Sequence, residues 1–314
     1  MGGNMAIKLL QEGHEVVVWS RSPKTVEEFK QKIKDQKPSH STSSVQAIKN
    51  IDQNLKTPET VEELVQSLGK PKVVWSMLPA GEATESMLSE ISKFAEKEDI
   101  VIDGSNANFN DTQRRFDDFK KKGIRFLGIG VSGGVVAAKT GYPIMVGGDK
   151  SAYDAIRPIL DSLSKPSGGY QYFGEGGAGH FVKMIHNGIE YGVMQSLGEG
   201  FDVLKHAPYA LDLVQVGKLW QKGTLLEGFL LDRTIEALEE DPNLEKVSGA
   251  IGISGEADWA VEQAKKQNIP IPIIEASLDY RKKSNVDETI QASFTARVVN
   301  GMRGAFGGHP VKKK

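Results

Sequence analysis

The stretch Gly176-Gly-Ala-Gly-His-Phe-Val-Lys183-Met-Ile-His186-Asn187-Gly-Ile-Glu190-Tyr191 joins two parts of the chain that differ in pattern. Before it, strand-like apolar runs alternate with helical segments, and after it apolar residues recur only at helical spacing. Alternating strands and helices predict an α/β domain with a doubly wound parallel sheet, which an all-α domain follows. We expect the first domain to cover residues 1–173 and the second to cover residues 174–314.

The stretch itself predicts the start of a helix that carries reactive side chains. Lys183 and Asn187 are four residues apart, and His186 and Glu190 are also four apart, so each pair shares a helix face. A possible base and a possible acid therefore stand about two turns apart, with an amide and an imidazole between them. The same spacing also suits a solvated lysine–glutamate pair of little energetic value, and spacing alone leaves both interpretations open.

The beginning of the sequence predicts a dinucleotide site. Residues 1–10 predict a helix that is entered directly, and Glu15-Val-Val-Val-Trp19 predicts a strand. Rossmann-like folds place a G-x-G-x-x-G turn before such a helix, with the pyrophosphate at the helix N-terminus. Met1-Gly2 would be the last two positions of that turn, and Gly2 and Gly3 are candidate cofactor contacts. We expect a truncated chain whose first strand is missing.

Further cofactor candidates lie where predicted strands end, because ligands of such sheets bind at the carboxyl ends of the strands. Ser20-Arg21-Ser22 follows the strand that would read the adenosine ribose, and it offers an arginine and hydroxyls but no acid. This pattern favours NADP, with NAD as the alternative. The remaining candidates at strand ends are Leu78, Pro79, Ala80 and Asn106.

Two more segments suggest anion binding. Val131-Ser132-Gly133-Gly134 offers a hydroxyl and exposed backbone N–H groups that suit a carboxylate or a phosphate. The glycine-rich tail from Phe294 to Pro310 carries Arg303 and His309. By composition, such a tail is expected to be disordered unless something holds it.

Composition excludes several functional classes. The formal net charge is −2, which gives no electrostatic case for a nucleic-acid or membrane partner. There is no cysteine, and the six histidines form no HxH or HExxH pattern, so we expect no metal site. No apolar run reaches the roughly 18–20 residues that cross a bilayer, and no signal peptide is evident. The predicted location is the cytoplasm.

Taken together, these motifs resemble those of decarboxylating 6-phosphogluconate dehydrogenases, within the β-hydroxyacid dehydrogenase superfamily. The similarity runs nearly end to end and is greater to the short form of that enzyme than to the long form. The most specific motif is His186-Asn-Gly-Ile-Glu-Tyr191. The other segments that carry the resemblance are Met77-Leu-Pro-Ala-Gly81, Asp103-Gly-Ser-Asn106, Asp111-Thr-Gln-Arg-Arg115, Val131-Ser-Gly-Gly134 and Arg303-Gly-Ala-Phe-Gly-Gly-His309.

The resemblance implies oxidation of 6-phospho-D-gluconate to D-ribulose 5-phosphate and CO2 with reduction of NADP, in the pentose phosphate pathway. It implies that Lys183 is the general base and Glu190 the general acid. The chemistry agrees, since taking a hydroxyl proton needs a neutral amine and burial disfavours charged lysine. The implied substrate contacts are Asn106, Ser132, Gly133, Gly134, His186, Asn187, Tyr191, Arg281, Arg303 and His309. Arg303 and His309 would come from a neighbour in a homodimer or homotetramer.

Some positions depart from the family's pattern. Asp258 and Ala260 flank Trp259 where the family has a basic residue and a threonine, which affects part of the phosphate site. Ser20-Arg21-Ser22 is a further departure, because short forms are often NAD enzymes. Two alternatives stay open at this point. The first is another β-hydroxyacid dehydrogenase, of the 3-hydroxyisobutyrate or the glyoxylate/succinic-semialdehyde type, and the second is a non-catalytic NADP-binding scaffold.

Overall fold

The structure is a computed structural model that describes residues 1–35 and 54–307. It contains two compact units, Met1–Lys183 and Met184–Lys314, which are described separately below. The division between these units falls inside one helix, Ala178–Lys205. The domain boundary after residue 173 stays a prediction. The predicted loop at residues 38–44, His309 and the closing lysines lie outside the described residues.

The first unit alternates short strands and helices, as the sequence predicts. Its strands are β1 Val16–Val17, β2 Leu55–Lys56, β3 Val73–Ser76, β4 Ile100–Asp103, β5 Arg125–Val131, β6 Pro143–Gly148 and β7 Gly169–Tyr172. Its helices are α1 Gly2–Gln11, α2 Pro23–Asp35, α3 Val61–Gln66, α4 Glu82–Ile91, α5 Phe109–Lys121, α6 Ala137–Thr140, α7 Lys150–Ala155, α8 Arg157–Ser164 and the first residues of α9 Ala178–Lys205.

The strands of this unit form two sheets among the described residues. β1 and β2 pair in parallel, and the second sheet has the order β3-β4-β5-β6-β7. Within it β3, β4 and β5 are parallel, but β6 is antiparallel to β5. The predicted Rossmann-like α/β class with a parallel sheet is therefore confirmed, and β6 is the strand that departs from it, because it runs antiparallel to β5. The segment between β5 and β6 is short and holds only the one-turn α6, whereas a parallel crossover usually needs a dozen or more residues.

The core of the first unit explains why β4 and β5 form at the centre of the sheet. All four residues of β4 are buried, and β5 is buried from Phe126 to Val131. A strand covered on both faces reads as an unbroken apolar run rather than an alternating one, and Ile100-Val-Ile is such a run. The carboxyl ends of β3, β4 and β5 therefore meet at one edge of a well-packed sheet.

The second unit is helical, which confirms the predicted all-α part. After α9 it contains α10 Leu213–Trp220, α11 Phe229–Glu240, α12 Glu256–Lys266, α13 Pro272–Ser284, α14 Glu288–Ala292 and α15 Phe294–Gly307. Its core combines side chains from α9, α11 and α15, among them Phe201, Leu231 and Met302. No helix in residues 1–35 or 54–307 has both the length and the apolarity to cross a bilayer.

The tail differs from its expectation. Residues 294–307 form α15 rather than a disordered terminus, with Phe294, Val298, Val299 and Met302 buried in the core of the second unit. Apolar residues at helical spacing supply this packing and offset the low helix propensity of the glycines. Arg303 is consequently held on a packed helix.

Candidate active site

Three loops of the first unit leave the sheet at the same edge. Leu78, Pro79 and Ala80 follow β3, Asn106 follows β4, and Ser132 to Gly134 follow β5. Because these three strands are parallel neighbours, with Ser76 beside Asp103 and Asp103 beside Gly128, their carboxyl ends adjoin. The structure thus brings the predicted loop residues of this unit to one edge, where ligands of such sheets bind.

A buried ion pair shapes the loop that carries Asn106. The Arg115 guanidinium donates from Nη1 to Asp103 Oδ2 at 2.7 Å, and both side chains are nearly inaccessible to solvent. The other oxygen, Asp103 Oδ1, accepts from the Ser105 hydroxyl at 2.6 Å and from the Ser105 backbone N–H at 3.0 Å. This network anchors the turn after β4 and leaves the Asn106 side chain exposed.

The loop after β5 is held by backbone geometry. Ser132 donates its N–H to the carbonyl oxygen of Pro143 at 2.9 Å, which extends the pairing of β5 with β6 by one residue. Gly133 and Gly134 follow with φ values of 89° and 56°. Glycine adopts two successive left-handed conformations at the least cost, so this turn requires the Gly-Gly pair.

Lys183 is placed by close contact between α9 and the sheet. A β-carbon built on Gly179 would lie 2.5 Å from both the Gly128 carbonyl oxygen and the Gly147 nitrogen, so the helix begins directly against β5 and β6. One turn later the side-chain stem of Lys183 lies against Gly130, and the residue is 5% exposed. The glycine lead-in therefore has a steric purpose, and it buries the candidate base beside β5.

His180 is a residue that the sequence analysis missed. It lies one turn before Lys183, is fully buried, and its Nδ1 is 2.7 Å from the Thr112 hydroxyl. Burial lowers the pKa of His180 below its ordinary value, with the charges of Asp103 and Arg115 acting in opposite directions. His180 is thus a neutral group between α5 and β5, and only its position three residues before Lys183 could have indicated it.

The residues at the predicted cofactor positions fit a dinucleotide. The helix α1 begins at Gly2, and Met1 supplies no side-chain cap to its first N–H groups. A β-carbon on Gly2 would lie 3.0 Å from Met77 Cβ, so this helix start packs tightly against the loop after β3. The uncapped N–H groups of a ten-residue helix suit a pyrophosphate.

The candidate residues for the adenosine end form one turn. Ser20, Arg21 and Ser22 lie between β1 and α2, and the Ser22 N–H approaches Ser20 Oγ at 3.4 Å. Arg21 and Ser22 are exposed, so the guanidinium can reach a ligand phosphate. Gly3, on the exposed side of α1, has only Phe29 of α2 within 4 Å of a built β-carbon.

The second unit brings together four polar residues. On α9, His186 Nδ1 lies 2.9 Å from Asn187 Oδ1 and 3.9 Å from Glu190 Oε2. Asn187 Nδ2 donates to Glu256 Oε1 at 3.1 Å, and both residues are buried. Glu256 is the first residue of α12, and sequence reasoning missed it because its partner is 69 positions away.

Arg281 and Arg303 form a cationic group in the same unit. The Arg281 guanidinium carbon lies 3.3 Å from the centre of the Tyr191 ring, and the Tyr191 hydroxyl is 3.3 Å from Ser254 Oγ. Burial lowers the pKa of Arg281 to about 10 and lowers the pKa of Arg303, and the positive charge of Arg303 contributes to the shift in Arg281. Neither arginine forms a salt bridge within residues 1–35 and 54–307. The negative charge of Glu190 acts on both arginines, but no carboxylate is in direct contact with either among the described residues. Two such neighbouring cations suit a phosphate.

The two departures near Trp259 have local explanations. Asp258 accepts from Lys282 Nζ at 2.6 Å, so its charge is paired on the surface of α12 and α13. Ala260 is buried, and its Cβ would lie 3.4 Å from a β-carbon built on Gly188 of α9. Neither position offers a phosphate ligand, which leaves Arg281 and Arg303 as the cations of this site among the described residues.

Comparison with known proteins identifies the family. Residues 1–174 match the model of the NAD binding domain of 6-phosphogluconate dehydrogenase, and residues 179–300 match the model of the 6-phosphogluconate dehydrogenase C-terminal domain. An NAD(+)-dependent, decarboxylating 6-phosphogluconate dehydrogenase of Haloferax volcanii is 33% identical over 100% of this chain and 96% of its own length. An NADP(+)-dependent relative from Bacillus subtilis is 35% identical over 93% of this chain, which spans 61% of that longer protein.

Comparison with solved structures leads to the same family. The Plasmodium falciparum 6-phosphogluconate dehydrogenase, described in its apo form and in complexes with NADP+ and with 6-phosphogluconate, aligns with a TM-score of 0.79 and 32% identity. That alignment covers 92% of this chain and 61% of the other. A 3-hydroxyisobutyrate dehydrogenase of Mycobacterium tuberculosis aligns at 0.67 with 20% identity, which reflects the shared fold alone. With both family models and full-length relatives matching, the chain belongs to the 6-phosphogluconate dehydrogenase family.

Proposed function

We propose that this chain catalyses the oxidative decarboxylation of 6-phospho-D-gluconate to D-ribulose 5-phosphate and CO2, with reduction of NADP. The observation that carries the proposal is the unbroken helix α9, on which Lys183 and Glu190 stand two turns apart. Lys183 is buried against β5, and Glu190 is close to His186. A base and an acid carried on one continuous helix suit two successive proton transfers at neighbouring carbons.

The proposed roles follow the order of the reaction. Bound NADP would supply the acceptor for the hydride at C3 of the substrate. The neutral amine of Lys183 takes the proton of the C3 hydroxyl as that hydride leaves, which gives a β-keto acid. The C1–C2 bond then breaks, CO2 departs, and the electron pair of that bond forms an enediol as Lys183 returns its proton to the C3 oxygen. Glu190 protonates the former C2, which becomes C1 of ribulose 5-phosphate, while Lys183 takes the proton back from the C3 oxygen and the ketone forms.

The arginine pair supports a phosphorylated substrate over a smaller acid. A β-hydroxyacid without phosphate would leave the buried Arg281 and the half-buried Arg303 with no anion in direct contact, which is costly. Arg281 also rests on the Tyr191 ring and so presents a fixed direction for its N–H groups. We assign the phosphate to Arg281, Arg303 and Tyr191, and we assign the carboxylate and hydroxyls to Ser132, Gly133, Gly134, Asn106, His186 and Asn187.

The experiment is a spectrophotometric assay of reduced nicotinamide with 6-phosphogluconate, gluconate and 3-hydroxyisobutyrate, combined with measurement of CO2. We expect turnover of 6-phosphogluconate with one CO2 per reduced nicotinamide, and at least a hundredfold lower kcat/KM for the two acids that lack phosphate. Preference for 3-hydroxyisobutyrate would reject the proposed substrate, and reduction without CO2 release would reject the decarboxylation.

The preference for NADP over NAD is also part of the proposal, as is the predicted cytoplasmic location. The family's nicotinamide dinucleotide site is shared by relatives that use either cofactor. Arg21 supports NADP here, since an arginine at the end of the second strand can accommodate the 2′-phosphate.

We propose a homodimer or homotetramer, in which the origin of Arg303 is open to a direct test. The family resemblance implies that Arg303 serves a neighbour, whereas its guanidinium lies beside Gly252 and its charge acts on Arg281 in its own unit. This placement favours supply from the same chain. His309 lies outside the described residues, so its predicted role in a neighbour's site stays a prediction.

A hybrid oligomer decides between the two origins. We would co-express differently tagged Lys183→Met and Arg303→Ala chains and purify the mixed species. If Arg303 serves its own chain, no site in a hybrid dimer is intact and the hybrid stays inactive. Recovery of about half the wild-type activity would instead assign Arg303 to the neighbour, because one site would then contain both side chains.

A further inference from the structure

Glu256 occupies a position in the second unit to which no role is assigned. It is 4% exposed, and it begins α12, where a helix N-terminus favours a carboxylate. That location alone would account for a structural role. Its contact with Asn187, an expected substrate ligand, indicates a second role that concerns substrate binding.

The contact fixes the orientation of the Asn187 amide. A carboxylate offers only acceptors, so the group of Asn187 that faces Glu256 Oε1 at 3.1 Å must be the NH2 group. The amide oxygen of Asn187 then points to His186 Nδ1, 2.9 Å away. Without Glu256, the two ends of the amide could exchange places with little change in shape.

The orientation of the amide in turn fixes the tautomer of His186. Two acceptors face His186 Nδ1, the Asn187 oxygen at 2.9 Å and the Glu190 carboxylate at 3.9 Å. A ring nitrogen that faces acceptors carries a proton, so in the neutral form of His186 the proton is on Nδ1 and the lone pair is on Nε2. Asn187 then presents a hydrogen-bond donor to a ligand, and His186 presents an acceptor.

We infer that Glu256 is a positioning residue that sets the hydrogen-bond polarity of Asn187 and His186 toward a polyhydroxy acid. Under this arrangement, Asn187 donates to an oxygen lone pair of the substrate and His186 accepts from a substrate hydroxyl. If the amide of Asn187 were reversed, Asn187 would present an acceptor to the substrate oxygen, and His186 would present a donor to the substrate hydroxyl. The remaining oxygen, Glu256 Oε2, is buried without a hydrogen-bond partner among the described residues.

The primary test is ¹⁵N NMR of the histidine ring nitrogens in the full-length protein, with His186 assigned by the His186→Gln variant. We expect the wild-type protein above neutral pH to show His186 protonated on Nδ1. Glu256→Met removes the acceptor and should produce a mixture of tautomers. Glu256→Gln retains an acceptor oxygen for Asn187 and should preserve the wild-type tautomer. This readout requires no turnover, so it can fail independently of the proposed function on which the ligand assignment rests.

Kinetics supply the second readout. Glu256→Met should raise KM for 6-phosphogluconate about tenfold, the effect of losing one or two hydrogen bonds, with kcat within about threefold of wild type. The double variant Asn187→Ala/Glu256→Met should be no worse than Asn187→Ala alone, since Glu256 acts through Asn187. The control Glu262→Met, at an exposed position on the same helix, should match wild type.

Three results would overturn the inference. The first is a wild-type His186 protonated on Nε2. The second is an unchanged tautomer in a folded Glu256→Met variant. The third is a Glu256→Gln variant as impaired as Glu256→Met, which would show that the charge at the start of α12 matters rather than the acceptor. The wild-type and Glu256→Gln spectra decide the matter even if Glu256→Met fails to fold.

Discussion

The backbone of Gly130 lies against the side-chain stem of Lys183. A β-carbon added to Gly130 would overlap Lys183 Cβ and come within 2.7 Å of its Cγ. Gly130→Ala should therefore displace the amine, and a shift of about 1 Å in a catalytic group can lower kcat about a hundredfold. Steady-state kinetics of a folded Gly130→Ala protein tests this expectation.

Gly200→Ala is the matched control, because a β-carbon at that α9 position meets nothing within 4 Å. It should keep wild-type kinetics and gain about 1 kcal/mol of stability from the better helix propensity of alanine. Equal kcat in Gly130→Ala and Gly200→Ala would show that the contact with Gly130 does not position Lys183.

The pair between Asp103 and Arg115 should be sensitive to single substitution. Asp103→Asn removes the buried one of the two carboxylates that Arg115 contacts, the other being Glu85 at 2.7 Å, and we expect a loss of about 2–3 kcal/mol in the free energy of unfolding. Arg114→Gln removes an exposed guanidinium that pairs with Glu85 at 2.9 Å, and it should cost less than about 1 kcal/mol. Urea unfolding monitored by tryptophan fluorescence measures the free energy of unfolding of both variants. Similar losses in Asp103→Asn and Arg114→Gln would show that the buried pair contributes no more than the exposed one.

His180 should make stability depend on pH. Burial lowers its pKa in the folded protein, whereas in the unfolded chain it titrates near 6.5. As pH falls below about 6.5, the unfolded chain binds a proton that the folded protein does not, so stability present above that pH is lost by up to about 1.4 kcal/mol per pH unit.

A comparison of thermal midpoints at about pH 7.5 and about pH 5.5, on either side of the ordinary histidine pKa, tests this dependence. His180→Asn should show a smaller decrease than wild type, whatever its absolute stability. His206→Asn removes a histidine whose side chain is 76% exposed, and it should retain the wild-type decrease. Equal decreases in all three proteins would mean that another group controls the acid sensitivity.

Arg21 should decide the choice of cofactor. Arg21→Ala removes the cation expected to meet the 2′-phosphate, and we expect KM for NADP to rise about tenfold while KM for NAD stays within about twofold. Lys24→Ala, an exposed lysine in the first turn of α2, serves as the control. A parallel change in KM for both cofactors would assign Arg21 to a feature that they share.

Sequence patterns predicted the elements that depend on local spacing. The periodicity from Phe181 onward predicted α9, and the run Ile100-Val-Ile predicted a buried strand. The direction of β6 was not predictable in this way, because an apolar strand reads the same in either direction. The tail was misjudged because its glycines suggested disorder, while the packing of Val298 and Met302 depends on α11 and on other distant residues.

In the candidate site too, the sequence predicted what depends on local spacing and missed what depends on distant residues. Lys183, His186, Asn187 and Glu190 share one helix, so helical spacing alone was enough to group them. Glu256 and His180 escaped notice because each acts through a partner more than 60 positions away, Asn187 for the former and Thr112 for the latter. Such pairs follow from tertiary packing, which a single sequence does not display.

The most direct test of the central claim compares Lys183→Met with Lys205→Met, which removes an amine from the last turn of the same helix. In the assay of reduced nicotinamide with 6-phosphogluconate, Lys183→Met should lower kcat by about a thousandfold or more, within the range that a general base contributes, while Lys205→Met keeps wild-type kcat. If a folded Lys183→Met protein retains kcat within tenfold of wild type, Lys183 is not the base and the proposed mechanism is wrong.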